Sequence, residues 1–485
     1  MKKGILFALC FALSGFFLFL VFGCGTGGSS GGGGGTSFTA NIYVSVTGSD
    51  TTGNGSLSKP FKTIQKGLNE AKTKEVVGVL AGVYGEHVSW PGTYEGITLR
   101  GVSNTTAILS GEGSGICLTI DQLTLDQMIT VESMMITDGN SAGSGGGINF
   151  SEDNTVTLHL KDLNVYKNVC SSYGGGLYIK YDSDNVVVEL CTFSSNEAGI
   201  TGGGIDQPDG NLIVVDSTFT YNAGGQAGGG INSSGTGQTV IEDSTFSNNN
   251  VDFYGGGVNF DNSGASLLKI VGCTFENNVT YIRGGAIDSK APMIVEKTIL
   301  KNNKAWQPGG AIGIWQNGGA DIINSVFIGN TAVESGGAIV YQKGNGTSLS
   351  IMNCTFVTNE CGAAPTYNGS AVYIMNAGTG TTDIINSIFW NNEYGSGVVE
   401  VTSEGSATYD ISYCDFASGH IGGNYTEVSN VNDAPIFASY PTNLQIEGPA
   451  TVTGGGTKEG APIDDIDDYP RTDPDHVSIG AYEVR

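Results

Sequence analysis

A block of the form Phe-x-x-Asn, then a short loop, then Gly-Gly-(Gly/Ala)-(Ile/Leu/Val) recurs along most of this chain of 485 residues. Its asparagines stand at Asn168, Asn196, Asn222, Asn249, Asn278, Asn303, Asn330, Asn359 and Asn392. The first and last are 224 residues apart, so the eight steps average 28. The phenylalanine position is Phe193, Phe219, Phe246, Phe275, Phe327, Phe356 and Phe389, with Val165 and Leu300 taking it twice. The glycine element begins at Gly145, Gly174, Gly202, Gly228, Gly255, Gly284, Gly309 and Gly336. A fixed period of this length marks a stacked repeat, in which each unit buries its apolar side only against its neighbours.

Between the blocks lie short β-branched runs such as Val186-Val187-Val188 and Leu212-Ile213-Val214-Val215. No block holds ten residues of helical periodicity, which excludes a helical array. In Cys191-Thr192-Phe193 the period is two, with Cys and Phe inward and Thr outward. Glycine suits a turn with positive φ or a close backbone approach. The recurrent Asn suits a left-handed or side-chain-capped turn. One coil of several short strands every 28 residues is an all-β, single-stranded right-handed parallel β-helix, since crossovers between parallel strands are nearly always right-handed. Phe is expected to stack on Phe inside, and Asn to bond Asn at a corner.

Lys2 and Lys3 precede an apolar run from Ile5 to Phe22, then Gly23-Cys24. This is the layout of an export signal. The Gly/Ser-rich stretch that follows is a flexible tether. The expected organisation is a signal segment over 1–23, tether 24–37, cap and first coils 38–110, repeats 111–430 and a closing segment 431–485. Net charge is −26, which disfavours nucleic acid as a partner. After Cys10 and Cys24, seven cysteines remain. Cys191, Cys273 and Cys354 share one ladder position three coils apart, about 14 Å, too far for a disulfide. Cys170 and Cys361 are read as loop residues, and all seven as buried or turn thiols.

The repeat resembles that of the polymorphic outer-membrane proteins, a β-helical surface adhesin family, over about residues 134–416. Val21-Phe22-Gly23-Cys24 resembles a bacterial lipobox, which implies lipidation of Cys24. Lys59-Pro60-Phe61-Lys62-Thr63-Ile64-Gln65 with Ala81-Gly82-Val83-Tyr84 resembles the opening of pectate-lyase-like β-helix proteins. That likeness implies a short amphipathic capping helix from Thr63 to Lys74, with Ile64, Leu68 and Ala71 on one face. Val477-Ser478-Ile479-Gly480-Ala481-Tyr482 resembles the closing motif of bacterial surface β-helix proteins.

Asp216 and Asp243 stand three before Phe in adjacent coils, so their carboxylates are candidates for a shared Ca²⁺. Asn324, Asn353 and Asn386 continue the position, which equally suits a polar turn ladder. Arg283 is the only arginine in the repeats. With Asp216 and Asp243 it supplies the candidates for catalysis. Asp206, Asn232, Asn259 and Asp288 follow the glycine element in successive coils and are expected to form a solvent-facing polar track. Phe253, Tyr254, Tyr281 and Trp306 precede the glycine turn in three consecutive coils, where an aromatic platform beside Arg283 would bind sugars; the plainer alternative is that they cover the coil edges. His87, His159, His420 and His476 are scattered and form no catalytic constellation.

These features lead to the expectation of an exported, lipid-anchored bacterial surface rod at the outer membrane or cell surface. It is expected to be monomeric and non-catalytic, presenting loops for adhesion or glycan contact. Its partners would be envelope lipid through Cys24 and a polysaccharide or a host or neighbouring surface protein. No cofactor is required unless Ca²⁺ binds. The alternative is a polysaccharide lyase or hydrolase acting on uronate-containing polymers. A second alternative is a passive structural component of the envelope. Short, regular loops favour a non-catalytic body, because an enzyme of this architecture needs longer loops to wall a cleft.

Overall fold

Four short strands make each coil between Gln127 and Ser403. Asn211–Val215, Thr218–Thr220, Ala223–Gly224 and Ile231–Gly235 form one such turn. Stacking of coils joins equivalent strands into four parallel sheets of 15, 13, 10 and 12 strands, met in that order along a coil. The computed structural model describes residues 38–482, except 93, 122, 124–126, 152–155, 181–184, 263–265, 363–368, 376–377, 395–398, 417–420, 433–434, 440–442, 449–455, 458–460, 463, 469 and 472–477. Everything that follows belongs to one compact unit, Ala40–Arg485. The signal segment, the tether and Cys24 lie outside the described residues.

The chain turns at left-handed residues. One corner falls three residues before Phe, at Asp216 (φ 49°), Asp243 (φ 47°) and Asn324 (φ 48°). A second falls one residue before each ladder asparagine, at Tyr221 (φ 54°), Asn248 (φ 56°) and Asn277 (φ 57°). The recurrent Asn is therefore not itself left-handed. Its side chain is occupied elsewhere, and the strain passes to its neighbour. The first glycine of each element supplies the third corner, as at Gly255 (φ 61°). Left-handed backbone is costly for most residues, which is why Asp, Asn and Gly recur at these places.

Inside, Phe193, Phe219, Phe246 and Phe275 stack with ring centroids 4.7–5.0 Å apart, and Phe327, Phe356, Phe389 and Phe416 continue at 4.5–4.8 Å. Leu300 separates the two stacks without opening the core, since it too is fully buried. The asparagine ladder is continuous from Asn168 to Asn392, with each Nδ2 donating to the next Oδ1 at 2.8–3.0 Å. It ends at buried Glu400, whose Oε1 accepts from Asn392. Burial holds that carboxyl well above its ordinary range. All seven described cysteines are free and buried. Burial pushes the Cys191, Cys273 and Cys354 thiols up to about 12. Cys170 and Cys361 are not in loops: they end the two-residue strands Val169–Cys170 and Glu360–Cys361 of the 10-stranded sheet. Strands so short show no periodicity in sequence.

The N-terminal helix is Ile64–Glu70, shorter than the expected span to Lys74. Ala71 is already extended, which releases the chain into the strand Val76–Val79. Thr63 caps the helix through its hydroxyl, and Glu86 accepts the amides of Ile64 and Gln65. At the other end, the described tail residues run back along the outside of the 13-stranded sheet. Ile479 and Ala481 cover Ile388, Val326 and Val357. Asn324, Asn353 and Asn386 donate to the carbonyls of Asp464, Ser478 and Thr457.

Candidate functional site

Each glycine turn places the residue before it and the residue five positions later on the same side of the coil. The five-residue pairs are visible as Tyr173 stacked on Tyr178 and Thr201 bonded to Asp206. In one coil the pair is Arg283 and Asp288. Arg283 Nε donates to Asp288 Oδ2 at 3.1 Å. The guanidinium lies over the Tyr254 ring at 4.4 Å and the Trp315 ring at 4.2 Å, so it is held between two aromatic faces. Trp315 Nε1 donates to the same carboxylate oxygen at 2.8 Å. Gly313 makes this possible: a Cβ there would stand 2.6 Å from Trp315 Nε1 and 2.7 Å from Asp288 Oδ2. Asp288 is only 1% exposed. Burial raises its carboxyl to about 7, against the pull of Arg283 and Trp315. The repeat pattern does not single out Trp315, which follows the strand Ile312–Ile314 rather than preceding the glycine turn.

The polar track is buried, not solvent-facing. Asp206, Asn232, Asn259 and Asp288 are all buried, and at the two ends of the track Thr201 and Arg283, each just before a glycine turn, bond Asp206 and Asp288. Asn259 Nδ2 donates to Asn232 Oδ1, and Asn232 Nδ2 donates to Asp206 Oδ1, at 2.8 and 2.9 Å. Burial raises the Asp206 carboxyl to about 7. A native pKa above the unfolded value means that the folded state keeps a proton the unfolded state gives up. This contribution to stability is complete below the unfolded pKa and is lost as pH rises through about 7. Asp206→Asn keeps the acceptor and removes the charge. At about pH 8 it is expected to be more stable than wild type by on the order of 2 kcal/mol, the difference vanishing below about pH 4. Urea unfolding of both proteins across that range is the check, and a pH-independent difference would count against the buried ionisation.

The four aromatic candidates divide into two groups. Tyr281 and Trp306 stack on each other at 5.8 Å and remain 56% and 46% exposed. Lys304 Nζ lies 4.6 Å from the Trp306 ring. Phe253 and Tyr254 are tilted at 6.0 Å, and one Tyr254 face is taken by Arg283. The rings thus do not lie in one continuous plane; stacking from coil to coil turns faces towards each other. Asp216 and Asp243 are exposed at the corner between the 15- and 13-stranded sheets. Arg283 stands at the entrance to the 12-stranded sheet, so the structure does not bring these three together. Among the described residues no group of three His, Cys, Asp or Glu side chains is placed to hold a metal ion. His87 bonds the Ile116 carbonyl and His159 pairs with Glu189; His420 and His476 lie outside the described residues.

A family model described as "Right handed beta helix region" matches residues 229–416. With the four parallel sheets, it defines the class: a right-handed parallel β-helix. No curated protein matches the sequence. Similar solved structures include XylC with xylose, at 11% identity and TM-score 0.49, covering 91% of this chain and 98% of that one. Pectate lyase Pel9A has 13% identity and TM-score 0.39, covering 92% and 96%. The catalytic unit of a thermostable GH87 α-1,3-glucanase from Streptomyces thermodiastaticus strain HF3-3 has 13% identity and TM-score 0.31, covering 74% and 64%.

Proposed function

We propose that this chain is an exported, lipid-anchored surface β-helix that contacts glycans without cleaving them, through the loops that precede the glycine turns. The observation that carries the reading is the exposed Tyr281–Trp306 stack beside a guanidinium fixed between Tyr254 and Trp315. Aromatic edges and faces give apolar area to sugar C–H groups, and a positioned cation orients polar substituents. Lipidation at Cys24, and with it residence at the outer membrane or cell surface, rests on the N-terminal sequence. Mass spectrometry of the mature N-terminus tests it, and an unmodified Cys24 would remove the anchor.

Binding is favoured over catalysis because Asp206 and Asp288, the two buried carboxyls of the polar track behind the glycine turns, stand three coils apart. At about 4.8 Å per coil that is about 14 Å, outside the span over which paired carboxylates cleave a glycosidic bond. Trp306→Ala is expected to reduce retention of the protein on immobilised polysaccharides at least tenfold while leaving its unfolding midpoint unchanged. The panel comprises polygalacturonate, alginate and host glycosaminoglycans, with and without Ca²⁺, and chain length is followed alongside retention. Cleavage of any polymer would replace the binding reading with the lyase or hydrolase one. Undiminished retention by the variant would remove the aromatic stack from the site.

A further inference from the structure

We infer that Arg283 is an oxyanion receptor that takes a single carboxylate or sulfate group of an acidic glycan; this rests on the glycan-contact reading and names the ligand class for that site. Four observations carry it. First, the guanidinium is immobilised before any ligand arrives, between Tyr254 and Trp315 and by the Nε bond to Asp288. Second, only Nε is used. Among the described residues neither terminal amino group of Arg283 has a hydrogen-bond partner in the protein, and the side chain is 19% exposed. N–H groups left unused in a fixed plane are the geometry that binds two oxygens of one anion.

Third, the support beneath the fork is itself built. Trp315 and Arg283 both donate to Asp288 Oδ2, while the buried Oδ1 has no hydrogen-bond partner. A buried carboxylate so unevenly satisfied is a poor way to stabilise a coil. It makes sense as an anchor that orients the guanidinium. Fourth, the neighbouring cation is already engaged, since Lys290 pairs with Asp261 at 2.5 Å. Lys304 stands over the Trp306 ring as a second cation, but only Arg283 offers a planar fork. A chain of net charge −26 repels densely charged polyanions at long range, so a single short-range fork suits a glycan whose acidic groups are sparse. Tyr281 and Trp306, two residues before Arg283 and one coil on, offer apolar area for the sugar that carries the anion.

The test compares hexasaccharides with their neutralised forms: hyaluronan against its methyl ester for carboxylate, and κ-carrageenan against its desulfated form for sulfate. Wild-type protein, anchored or as residues 38–485 with folding confirmed by cooperative unfolding, is expected to bind at least one acidic form about tenfold more tightly than its neutral partner. Which pair shows the preference identifies the anion. Arg283→Gln should abolish the preference, and Arg283→Lys should restore only a small part, because an ammonium lacks the fork. Since Arg283→Gln strands Asp288, the double variant Arg283→Gln/Asp288→Asn is measured beside it. A preference that survives in the folded double variant overturns the inference. Equal binding of acidic and neutral forms by wild type also overturns it, with glycan contact intact. No binding to any of the four sinks the glycan reading and this inference together.

Discussion

Replacing Asn278 by leucine is expected to destabilise the protein by about 3–5 kcal/mol, a large part of what holds a typical domain together. Asn278 sits in the middle of the buried ladder. Its Oδ1 accepts from Asn249 N and Nδ2 at 3.1 and 2.9 Å. Its Nδ2 donates to the Phe246 carbonyl at 2.9 Å and to Asn303 Oδ1 at 3.0 Å. Leucine has nearly the same size but leaves a backbone amide, an amide hydrogen and a carbonyl buried without these partners. Each such group costs about 1–3 kcal/mol. Asn278→Asp separates shape from chemistry. Its second oxygen would face two acceptors, so the variant needs a proton and should recover stability as pH falls. Urea or guanidinium midpoints of the two variants at neutral and acid pH give the answer. A loss below about 1 kcal/mol for Asn278→Leu would mean that water or relaxed geometry satisfies the ladder.

The second large effect is expected at Gly285, where alanine should cost about 3 kcal/mol or more by forcing two coils apart. An added Cβ would stand 2.1 Å from the Gly310 carbonyl oxygen and 2.7 Å from Lys304 N. Both obstacles are backbone, so no rotamer change relieves the clash. The same position is Gly146, Gly175, Gly203, Gly229, Gly256, Gly310 and Gly337 in other coils. The following position tolerates a methyl, since Ala286, Ala311 and Ala338 occupy it. Gly257→Ala is therefore the control, with an expected loss below about 1 kcal/mol despite contacts of 2.8 Å to the Ala286 carbonyl oxygen and 3.0 Å to Phe275. Equal losses at 257 and 285 would refute close approach as the reason for the second glycine. Neither substitution changes φ into a forbidden region, because the left-handed glycine of this element is Gly284 (φ 65°).

The site was only partly legible. Arg283, Tyr254, Tyr281 and Trp306 stand out in the sequence because loop aromatics recur before the glycine turn. Asp288 and Trp315 do not, because their roles depend on a contact across the turn and on a missing side chain at Gly313. The spacing of five between Arg283 and Asp288, matched by Tyr173/Tyr178 and Thr201/Asp206, is the signal that could have found the pair. Burial of the polar track was likewise hidden. Alternation places Asp206 and Asp288 on the outer side of their strands, and only the neighbouring loop decides that the outer side is covered. The tail left a clearer trace. Outward residues of the 13-stranded sheet change from Thr218, Thr220, Thr245 and Ser247 to Val326, Ile328, Val357, Ile388 and Trp390 where the tail packs.

By itself the sequence determines the coil. Its period, its inward phenylalanines, its ladder asparagines and its paired glycines each satisfy a local demand that repeats at every turn, so one block predicts the next. The tertiary structure alone decides what happens where coils meet unlike neighbours. It converts Asp216 and Asp243 into exposed corner residues, separates them from Arg283, covers Asp206 and Asp288, and fixes one guanidinium between two rings. The reason is physical. Backbone pairing and core alternation are set by residue type and spacing, whereas burial, pKa and the direction of an outward side chain depend on groups from other coils that the local pattern does not encode.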